Sequence, residues 1–562
     1  MTDTVQLRQT AGAGGAAPST PDNGACVNDV VKTAPPSAVD AGAVEATFES
    51  ILFLTPADAT RAASDAPSFF HDLNLDQIVA EICSGRQDYN LTPLLYTPLH
   101  DADAVAYRHE VMRDLEDDRL LAAVRKFALG MRRCREYLGH SEKRYYIQQK
   151  ERWFLDAADV YCLSVRTLLA ELEPLDCRSR GFRAFLRYLA VYTQSERFAG
   201  LASESSELEE SLSRIRYGIF IRGGRVSVYP AMEQPDYGDE IQATFQRFQQ
   251  GKATDYSHAF GDSIEMDHIE GQVLEGVARL HPEVFGTVAK FRAAHANFAD
   301  TKIVAFDREI QFYIGYLDRM RALQEAGLAF CYPAVSASDK AVFGNLAFDL
   351  ALAEKLSRSG AIPVCNDFRL EGAERIIVVS GPNQGGKTTF ARMFGQIHYL
   401  AALGYPVPGT DAKLLLPDAI FTHFEREEHM TDLRGKLEDD LLRIRKILTA
   451  ASPASVIVIN EIFASTTLQD AIDLSKKIAQ SIMNLDALCV WVTFIDEVAS
   501  LGEKTVSMVS TVVPDNPAER TFKIIRRPAD GLAYAMSIAE KHRLTPKKIR
   551  ERMHHEGTPT VS

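Results

Sequence analysis

A glycine-rich segment, SGPNQGGKTTFARMFG at residues 380–395, constrains the fold more than any other part of the chain. Residues 381–388 fit the pattern G-x-x-x-x-G-K-[ST], an apolar run precedes them at 376–379, and a helix-compatible run follows from Thr388. This order predicts a buried strand, a tight loop and a helix in direct succession. A loop of this kind presents backbone N–H groups at the start of a helix, where they attract phosphate groups.

The residue types in this loop predict how it binds a nucleoside triphosphate. Its glycines let the backbone approach the phosphates, the Lys387 ammonium can reach the terminal oxygens and assist catalysis, and the Thr388 hydroxyl can ligate Mg²⁺. We therefore expect ATP and Mg²⁺ as cofactors. The loop residues predicted to contact the nucleotide are Gly381, Pro382, Asn383, Gln384, Gly385, Gly386, Lys387, Thr388 and Thr389.

The run SVIVINEIFAST predicts a second strand, with Asn460 and Glu461 at its carboxyl end. Glu461 is the predicted catalytic carboxylate, because a glutamate in this place can polarise the attacking water. Asn460 offers the metal a carbonyl oxygen without the charge of an aspartate, and a further carboxylate such as Asp496 could compensate. Phosphate transfer to a small molecule is an alternative, but no acceptor site or lid is evident after Lys387.

The pattern of the chain changes at about residue 345. Residues 1–45 are rich in Ala, Gly, Pro, Ser and Thr and are expected to form a disordered leader. Residues 46–345 have mostly helical periodicity with few glycines and predict a rod-like or bundled helical domain. Residues 346–540 alternate β-rich runs with helices, which predicts a doubly wound α/β domain with a sheet that is parallel at its centre. Residues 541–562 are expected to form a helical tail.

Several local patterns refine this division. Within the helical part, IFIRGGRVSVYP predicts a β-hairpin. In LEDDLLRIRKIL, Asp439 and Asp440 are expected on a charged, solvated helix face rather than at a metal. The apolar positions predicted to face the helical core are Val105, Leu115, Leu120, Leu121, Val124 and Phe127. The strand candidates of the α/β domain are RIIVVS, SVIVIN, ALCVWVTF, TVSMVSTVV and TFKIIRR.

The formal charge of −14 gives no general attraction to nucleic acid, so any such surface must be a local basic patch. Two patches are candidates, at residues 125–135 and 541–552, although a solvated helix face is the favoured interpretation of each.

The eight cysteines form no CxxC pair, which favours reduced thiols. No apolar run reaches 18 residues and no secretory signal begins the chain, so we expect a cytoplasmic protein without a membrane partner.

The motif GPNQGGKTT resembles the loop of the ATPase domain of the MutS mismatch-repair family, which has the form GPNxGGK[ST]. The segment VCNDFRL at 364–370 is similar to the family's stretch before the first ATPase strand, and the resemblance places Asn366 near the adenine. The motif YRHEVMRDL at 107–115 resembles the family's helical core. The segment DGLAYAMSIAEKHRLTPKKIRERM resembles the C-terminal helices that help to join two ATPase domains.

The resemblance implies a helical lever with a P-loop ATPase domain, a homodimer formed through the ATPase domains, and duplex or branched DNA as partner. It implies an ATP-gated clamp in DNA repair or recombination, here without an N-terminal mismatch-reading domain. Either slow hydrolysis or a differently organised ATPase cycle is expected, because Asn460 replaces an aspartate and Phe494 replaces a histidine that senses the γ-phosphate. Residues 433–440 also replace a serine-containing signature. The alternative is a nucleotide-sensing interaction protein with little hydrolysis and no DNA binding.

Overall fold

The computed structural model of the 562-residue chain describes residues 48–55, 65–223, 225–231, 266, 268–425, 435–463, 465–513, 516–529 and 546. The predicted leader lies outside the described residues, and so does the predicted tail except for residue 546. The basic segment 541–552, again except for residue 546, and the start of the segment 433–440 also lie outside them.

Helices make up most of the described chain before residue 326, as its periodicity predicts. Two of them, α4 and α5, have 26 residues each, which corresponds to a length of about 39 Å, and they pack against each other. All six apolar positions predicted to face the helical core are buried. These helices are α1 (Leu75–Cys83), α2 (Thr92–Leu95), α3 (Ala102–Asp114), α4 (Asp118–Lys143), α5 (Ile147–Leu172), α6 (Arg180–Thr193), α7 (Glu196–Ser213), α8 (His268–Leu280), α9 (Pro282–Ala294) and α10 (Thr301–Glu325).

The predicted hairpin is present between α7 and α8. Strand β1 (Tyr217–Arg222) pairs antiparallel with β2 (Arg225–Pro230), and Arg222 lies opposite Arg225 at the turn. Val228 on one face of the hairpin packs towards Gly276 of α8. Most of the remaining hairpin side chains are exposed.

The second half of the described chain is built around a six-stranded mixed sheet in the order β10-β11-β12-β7-β13-β14. Five neighbouring strands are parallel, and β14 runs antiparallel to β13 at one edge. The five strand candidates correspond to β7, β11, β12, β13 and β14, and the parallel centre is confirmed. The six strands are β7 (Ile376–Ser380), β10 (Ile420–Phe424), β11 (Val456–Asn460), β12 (Leu488–Val492), β13 (Thr505–Val513) and β14 (Asn516–Arg526).

A four-stranded sheet in the order β4-β9-β5-β6 and a two-stranded pair of β3 and β8 complete this half. Both lie outside the predicted strand set. Their strands are β3 (Phe330–Cys331), β4 (Ala334–Ser336), β5 (Val342–Ala347), β6 (Asn366–Leu370), β8 (Val407–Pro408) and β9 (Asp411–Leu415). The helices of this half are α11 (Leu350–Ser357), α12 (Lys387–Ala402), α13 (Lys436–Ala450) and α14 (Leu468–Leu485).

Successive residues of a strand point to opposite sides of the sheet. Since both sets are apolar in the central strands, both faces of the six-stranded sheet are covered by helices. Ile457 and Ile459 pack with α13 and α14, whereas Val456 and Val458 pack on the side of α12. The core on the α12 side continues into the helical part of the chain, where it includes Phe127. The hydrophobic core is therefore continuous across residue 345, where the sequence pattern changes.

Arg108 of α3 links the helical part to the end of α12. Its guanidinium is fully buried, and it donates hydrogen bonds to the carbonyl oxygens of Leu52 at 3.0 Å and Leu403 at 2.8 Å. The rings of Phe53 and Phe312 lie 5.4 and 5.0 Å from the guanidinium carbon. A buried charge is stable only with such partners, so Arg108 fixes α3 against the carboxyl end of α12.

We expect Arg108→Ala to lower the free energy of unfolding by about 3 kcal/mol, because two buried carbonyl groups lose a charged donor and a cavity remains. Urea unfolding followed by circular dichroism measures the effect. Arg187→Ala is the matched control, since Arg187 is exposed on α6, and should change stability by less than about 0.5 kcal/mol. Equal effects of the two substitutions would contradict the role of Arg108.

Candidate functional site

The glycine-rich loop connects β7 to α12, as predicted. Ser510 of β13 packs directly on it and donates a hydrogen bond from its hydroxyl to the Gly385 carbonyl at 2.7 Å. A β-carbon at Gly385 would lie 2.3 Å from the Ser510 hydroxyl oxygen, and one at Gly381 would lie 2.9 Å from the Ser510 carbonyl oxygen. Gly381 also has a φ of 113°. Glycine is therefore required at both positions by close packing against β13.

Lys387, the first residue of α12, is only 5% exposed. Its ammonium donates to the Gly381 carbonyl at 3.0 Å, the Pro382 carbonyl at 3.1 Å and the Asn383 side-chain oxygen at 3.2 Å. Three hydrogens are available on an ammonium group, so these three oxygens satisfy it. An incoming phosphate would have to replace some of these bonds.

Burial and two nearby charges shift the pKa of the Lys387 ammonium. Burial lowers the pKa of the ammonium, the Glu461 carboxylate 3.9 Å away opposes this effect, and the nearby Arg520 guanidinium adds to it. Arg520, on β14, also donates a hydrogen bond to the Asn383 carbonyl at 3.2 Å. The loop thus has two cations beside it, and Arg520 was not predicted as a site residue.

The carboxyl end of β11 lies beside the start of α12. The Thr388 hydroxyl donates to the Asn460 side-chain oxygen at 2.9 Å, which brings together the two predicted metal ligands. Glu461 has a left-handed backbone with φ of 53°, and its N–H donates to the Val492 carbonyl at 3.0 Å. This turn carries the Glu461 side chain back towards Lys387. The oxygen-only donor set fits a hard cation such as Mg²⁺, although two of its three side chains are neutral.

A cavity of about 750 Å³ opens over the loop. One part of its wall is polar and consists of loop residues and Glu461, whereas the other part is mostly apolar. The residues that line it are Leu352, Leu356, Ile362, Pro363, Val364, Asn366, Asn383, Gln384, Gly385, Gly386, Lys387, Thr388, Thr389, Glu461 and Phe522. The predicted nucleotide-binding residues therefore meet at one cavity, except Gly381 and Pro382, which lie behind it as acceptors for Lys387.

Asn366 lines this cavity, but its amide is bonded to the protein. The side-chain nitrogen donates to the carbonyls of Phe522 at 3.1 Å and Val364 at 3.3 Å, and the side-chain oxygen accepts from the Ile524 N–H at 2.8 Å. Asn366 therefore joins β6 to β14. Asn366 thus lies on the cavity wall, and its placement near an adenine stays a prediction, while its hydrogen bonds point to a positioning role.

Phe522 was not predicted as a site residue. It has a φ of 58°, which is rare for an aromatic residue, and its side chain is 47% exposed. A β-carbon at Gly386 would lie 3.7 Å from its ring, so the phenyl group stands next to the loop. Phe522, Arg520 and Ser510 come from strands far along the chain from the loop, and no local motif marks them.

Phe494 and Asp496 do not line the loop cavity. Both border a separate open groove of about 860 Å³, together with the exposed Leu468 of α14. Phe494 follows the buried Thr493 and is 53% exposed. The position that the resemblance assigns to a γ-phosphate sensor therefore holds an exposed apolar ring.

The expectation of a charged, solvated helix face is correct for Asp439 and wrong for Asp440. Asp440 is 6% exposed and lies 3.3 Å from the Nε2 atom of His423, which is fully buried at the end of β10. The reason is that the inner face of α13 covers the sheet, and position 440 lies on that face with Ile444 and Ile447.

Four of the five basic residues in the candidate basic patch at residues 125–135 form ion pairs within the described structure. Arg125 pairs with Asp318, Lys126 with Glu171, and Arg135 with the buried Asp307. Arg132 pairs with Glu136 on the same helix. The favoured interpretation of this segment as an ordinary helix surface is thus supported.

Among the described helices, none combines the length and the apolar composition of a membrane-spanning segment.

Comparison with known proteins places the loop and the six-stranded sheet in a family. The family model "MutS domain V" matches residues 377–555. Similar proteins named DNA mismatch repair protein MutS come from several organisms. They include those of Erythrobacter litoralis (26% identical over 207 residues, 33% of this chain and 24% of that protein), Methanothrix thermoacetophila (24% over 279 residues, 49% and 32%) and Solibacter usitatus (26% over 286 residues, 49% and 32%).

The matched region spans about a third or less of each of these relatives, so their whole activity does not transfer with it. The match does include the glycine-rich loop, Asn460, Glu461 and β14, which build the candidate site. This domain match and the similar MutS proteins support membership of the chain in the MutS family.

Proposed function

We propose that the cavity binds ATP with Mg²⁺ and hydrolyses it, and that nucleotide binding gates a DNA-binding dimer. The observation that supports this most is the position of Lys387. Its buried ammonium lies at the first turn of α12, among loop oxygens and 3.9 Å from the carboxylate of Glu461. A buried cation and a carboxylate thus face the same small volume above the loop, where a terminal phosphate and its attacking water would meet.

Phosphate binding follows from the loop and its cations. The N–H groups at the start of α12 and the partial positive charge of its N-terminus attract anions. The phosphate oxygens of a triphosphate would replace loop oxygens as hydrogen-bond acceptors of Lys387. Arg520 adds a second cation beside the loop. The cavity of about 750 Å³ has room for a nucleotide. We assign the loop to the P-loop class on these grounds.

Hydrolysis would depend on Glu461, whose carboxylate can orient and polarise a water at the terminal phosphate. Thr388 and Asn460 would hold Mg²⁺, which supplies charge neutralisation on the phosphate oxygens when bound. Because Asn460 is neutral, the metal loses the attraction of one carboxylate. The rate of ATP hydrolysis should therefore fall more than the affinity for ATP. Phe494 supplies no polar group in place of the histidine that would sense the γ-phosphate.

The hairpin of β1 and β2 offers a surface for DNA. Arg222 and Arg225 share one face with Phe220 and Tyr229, because paired residues of an antiparallel ladder lie on the same side. Among the described residues, neither arginine has an ion-pair partner, whereas Arg125, Lys126 and Arg135 of α4 do. Guanidinium groups beside exposed aromatic rings suit phosphates and bases. DNA binding also accords with the similarity of this chain to proteins named DNA mismatch repair protein MutS.

We expect Lys387→Ala to weaken ATP binding by at least about tenfold, because a buried cation that meets the phosphates is lost. Glu461→Gln should leave the affinity within about threefold and lower turnover by about a hundredfold or more. Calorimetric titration and phosphate release, each with and without duplex, mismatched and branched DNA, measure these effects. If ATP binding depends on Lys387 but the rate of hydrolysis stays at background with every DNA tested, the chain is a nucleotide sensor instead.

We expect the double substitution Arg222→Ala and Arg225→Ala to weaken duplex binding about tenfold. The slope of log affinity against log salt concentration should become less steep by the amount that corresponds to about two lost phosphate contacts. Fluorescence anisotropy over a series of salt concentrations gives both quantities. Arg183→Ala with Arg187→Ala removes the same charge from exposed positions on α6 and is the control. A similar loss in both double variants would show that only the overall charge matters.

A further inference from the structure

We propose that a second cavity, in the helical part of the chain, binds a small organic ammonium or amidinium ion that carries an apolar body. The cavity lies between α5, α7, α8 and α9 and has a volume of about 550 Å³, which is within the range of small-molecule sites. Its described lining residues lie outside the matched range 377–555 and take no part in the proposed nucleotide site.

Glu151 of α5 is the observation that points most directly to a ligand. It lines the cavity and is only 8% exposed, yet its carboxyl group has no hydrogen-bond or ion-pair partner among the described residues. Burial raises the pKa of this carboxyl group, and the charge of Arg292 on α9 opposes the effect. A carboxylate that loses water without gaining a partner raises the free energy of the fold, and a cation within the cavity would lower it.

The lining has a second acidic group, formed by Asp156 of α5 and Glu209 of α7. Their carboxyl groups share a hydrogen bond, and the Arg152 guanidinium lies 2.7 Å from Asp156 and 2.9 Å from Glu209. Burial raises the pKa of Asp156 to about 6, against the effect of Arg152. With Glu151, the described lining has three carboxyl groups and one guanidinium. This balance favours a cationic ligand and disfavours a phosphate or a carboxylate.

The rest of the wall determines what kind of cation fits. Apart from Gln148, Gln149 and Ser213, the remaining described lining is apolar or aromatic, and it consists of Trp153, Leu212, Met266, Leu274, Phe285 and Val288. Such side chains cover a hydrocarbon body but offer a metal ion no ligand. The His, Cys, Asp and Glu residues of the described chain also form no group of three that could hold a metal ion. An organic cation is therefore the ligand that suits both parts of the wall.

The cavity also adjoins the helix on which the hairpin packs. Leu274 lines the cavity, and Gly276, two residues further along α8, faces Val228 of β2. A ligand that contacts α5, α7, α8 and α9 together would restrain α8 relative to the two long helices. Occupancy of this cavity would thereby stabilise the support of the hairpin.

Calorimetric titration of the full chain at neutral pH tests the proposal with three probes, namely phenylbutylamine, phenylbutanol and phenylbutyrate. They share one apolar body and are cationic, neutral and anionic, respectively. We expect the amine to bind at least about tenfold more tightly than the alcohol, because a charged donor meets buried carboxylates. The acid should bind more weakly than the alcohol, because like charges repel.

Variants of the lining locate the probe. Glu151→Gln keeps the shape of the side chain and removes its charge, so it should weaken amine binding about tenfold and leave alcohol binding within about twofold. Glu173→Gln, at an exposed position just after α5, is the matched control and should change neither. Leu274→Ala shortens the apolar wall and should weaken both probes by a similar factor of about five. Thermal unfolding of each variant verifies that it is folded.

Two results would overturn the proposal. If the amine binds no more tightly than the alcohol, or does not bind, the carboxyl groups do not select a cation. If folded Glu151→Gln binds the amine as tightly as the unaltered chain does, the amine lies elsewhere. Lys387→Ala should leave amine binding unchanged, so the outcome is independent of whether the chain binds ATP.

Discussion

The burial of α12 is the constraint on which the rest of the structure depends. Thirteen of its 16 residues are buried, although its first turn must remain open to the cavity. Even His398 lies in this core, where burial lowers the pKa of its imidazole to about 4 and keeps the ring neutral at pH 7. The helix therefore has no freedom to shift alone, and any displacement at its start must be shared by the elements around it.

Besides the strands of the α/β half, segments of the helical part of the chain also bond to α12. The Gln396 side chain donates to the carbonyl of Leu73 at 2.9 Å, and the Tyr399 hydroxyl donates to that of Leu95 at 2.7 Å. The Leu99 N–H donates to the carbonyl of Ala402 at 2.7 Å. These buried bonds connect the helix that follows the glycine-rich loop directly to the helical part of the chain, as the proposed nucleotide gating would require.

The sequence predicts the local parts of this arrangement well. The loop, the strands next to it and the hairpin each have a signal within about 15 residues, because backbone preferences and apolar spacing determine them. Strand β10 and the sheet of β4, β5, β6 and β9 were not predicted, since their pairing depends on distant segments. Asn366 was identified by resemblance, but its bonds to β14 could not be predicted from its neighbours. The burial of Asp440 likewise depends on a distant strand.

The two parts of the cavity wall attach to different elements, and this division bears on how a nucleotide could act. The polar part, formed by the glycine-rich loop, is fixed to α12 and is bonded to Ser510 of β13, whereas the apolar part depends on the junction of β6 and β14 through Asn366. A bound nucleotide would contact both parts at once. It would thereby add its own contacts to those that already join α12 to the sheet edge. Because α12 is also bonded to the helical part, occupancy of the cavity would be transmitted to the helices without any contact between them and the nucleotide.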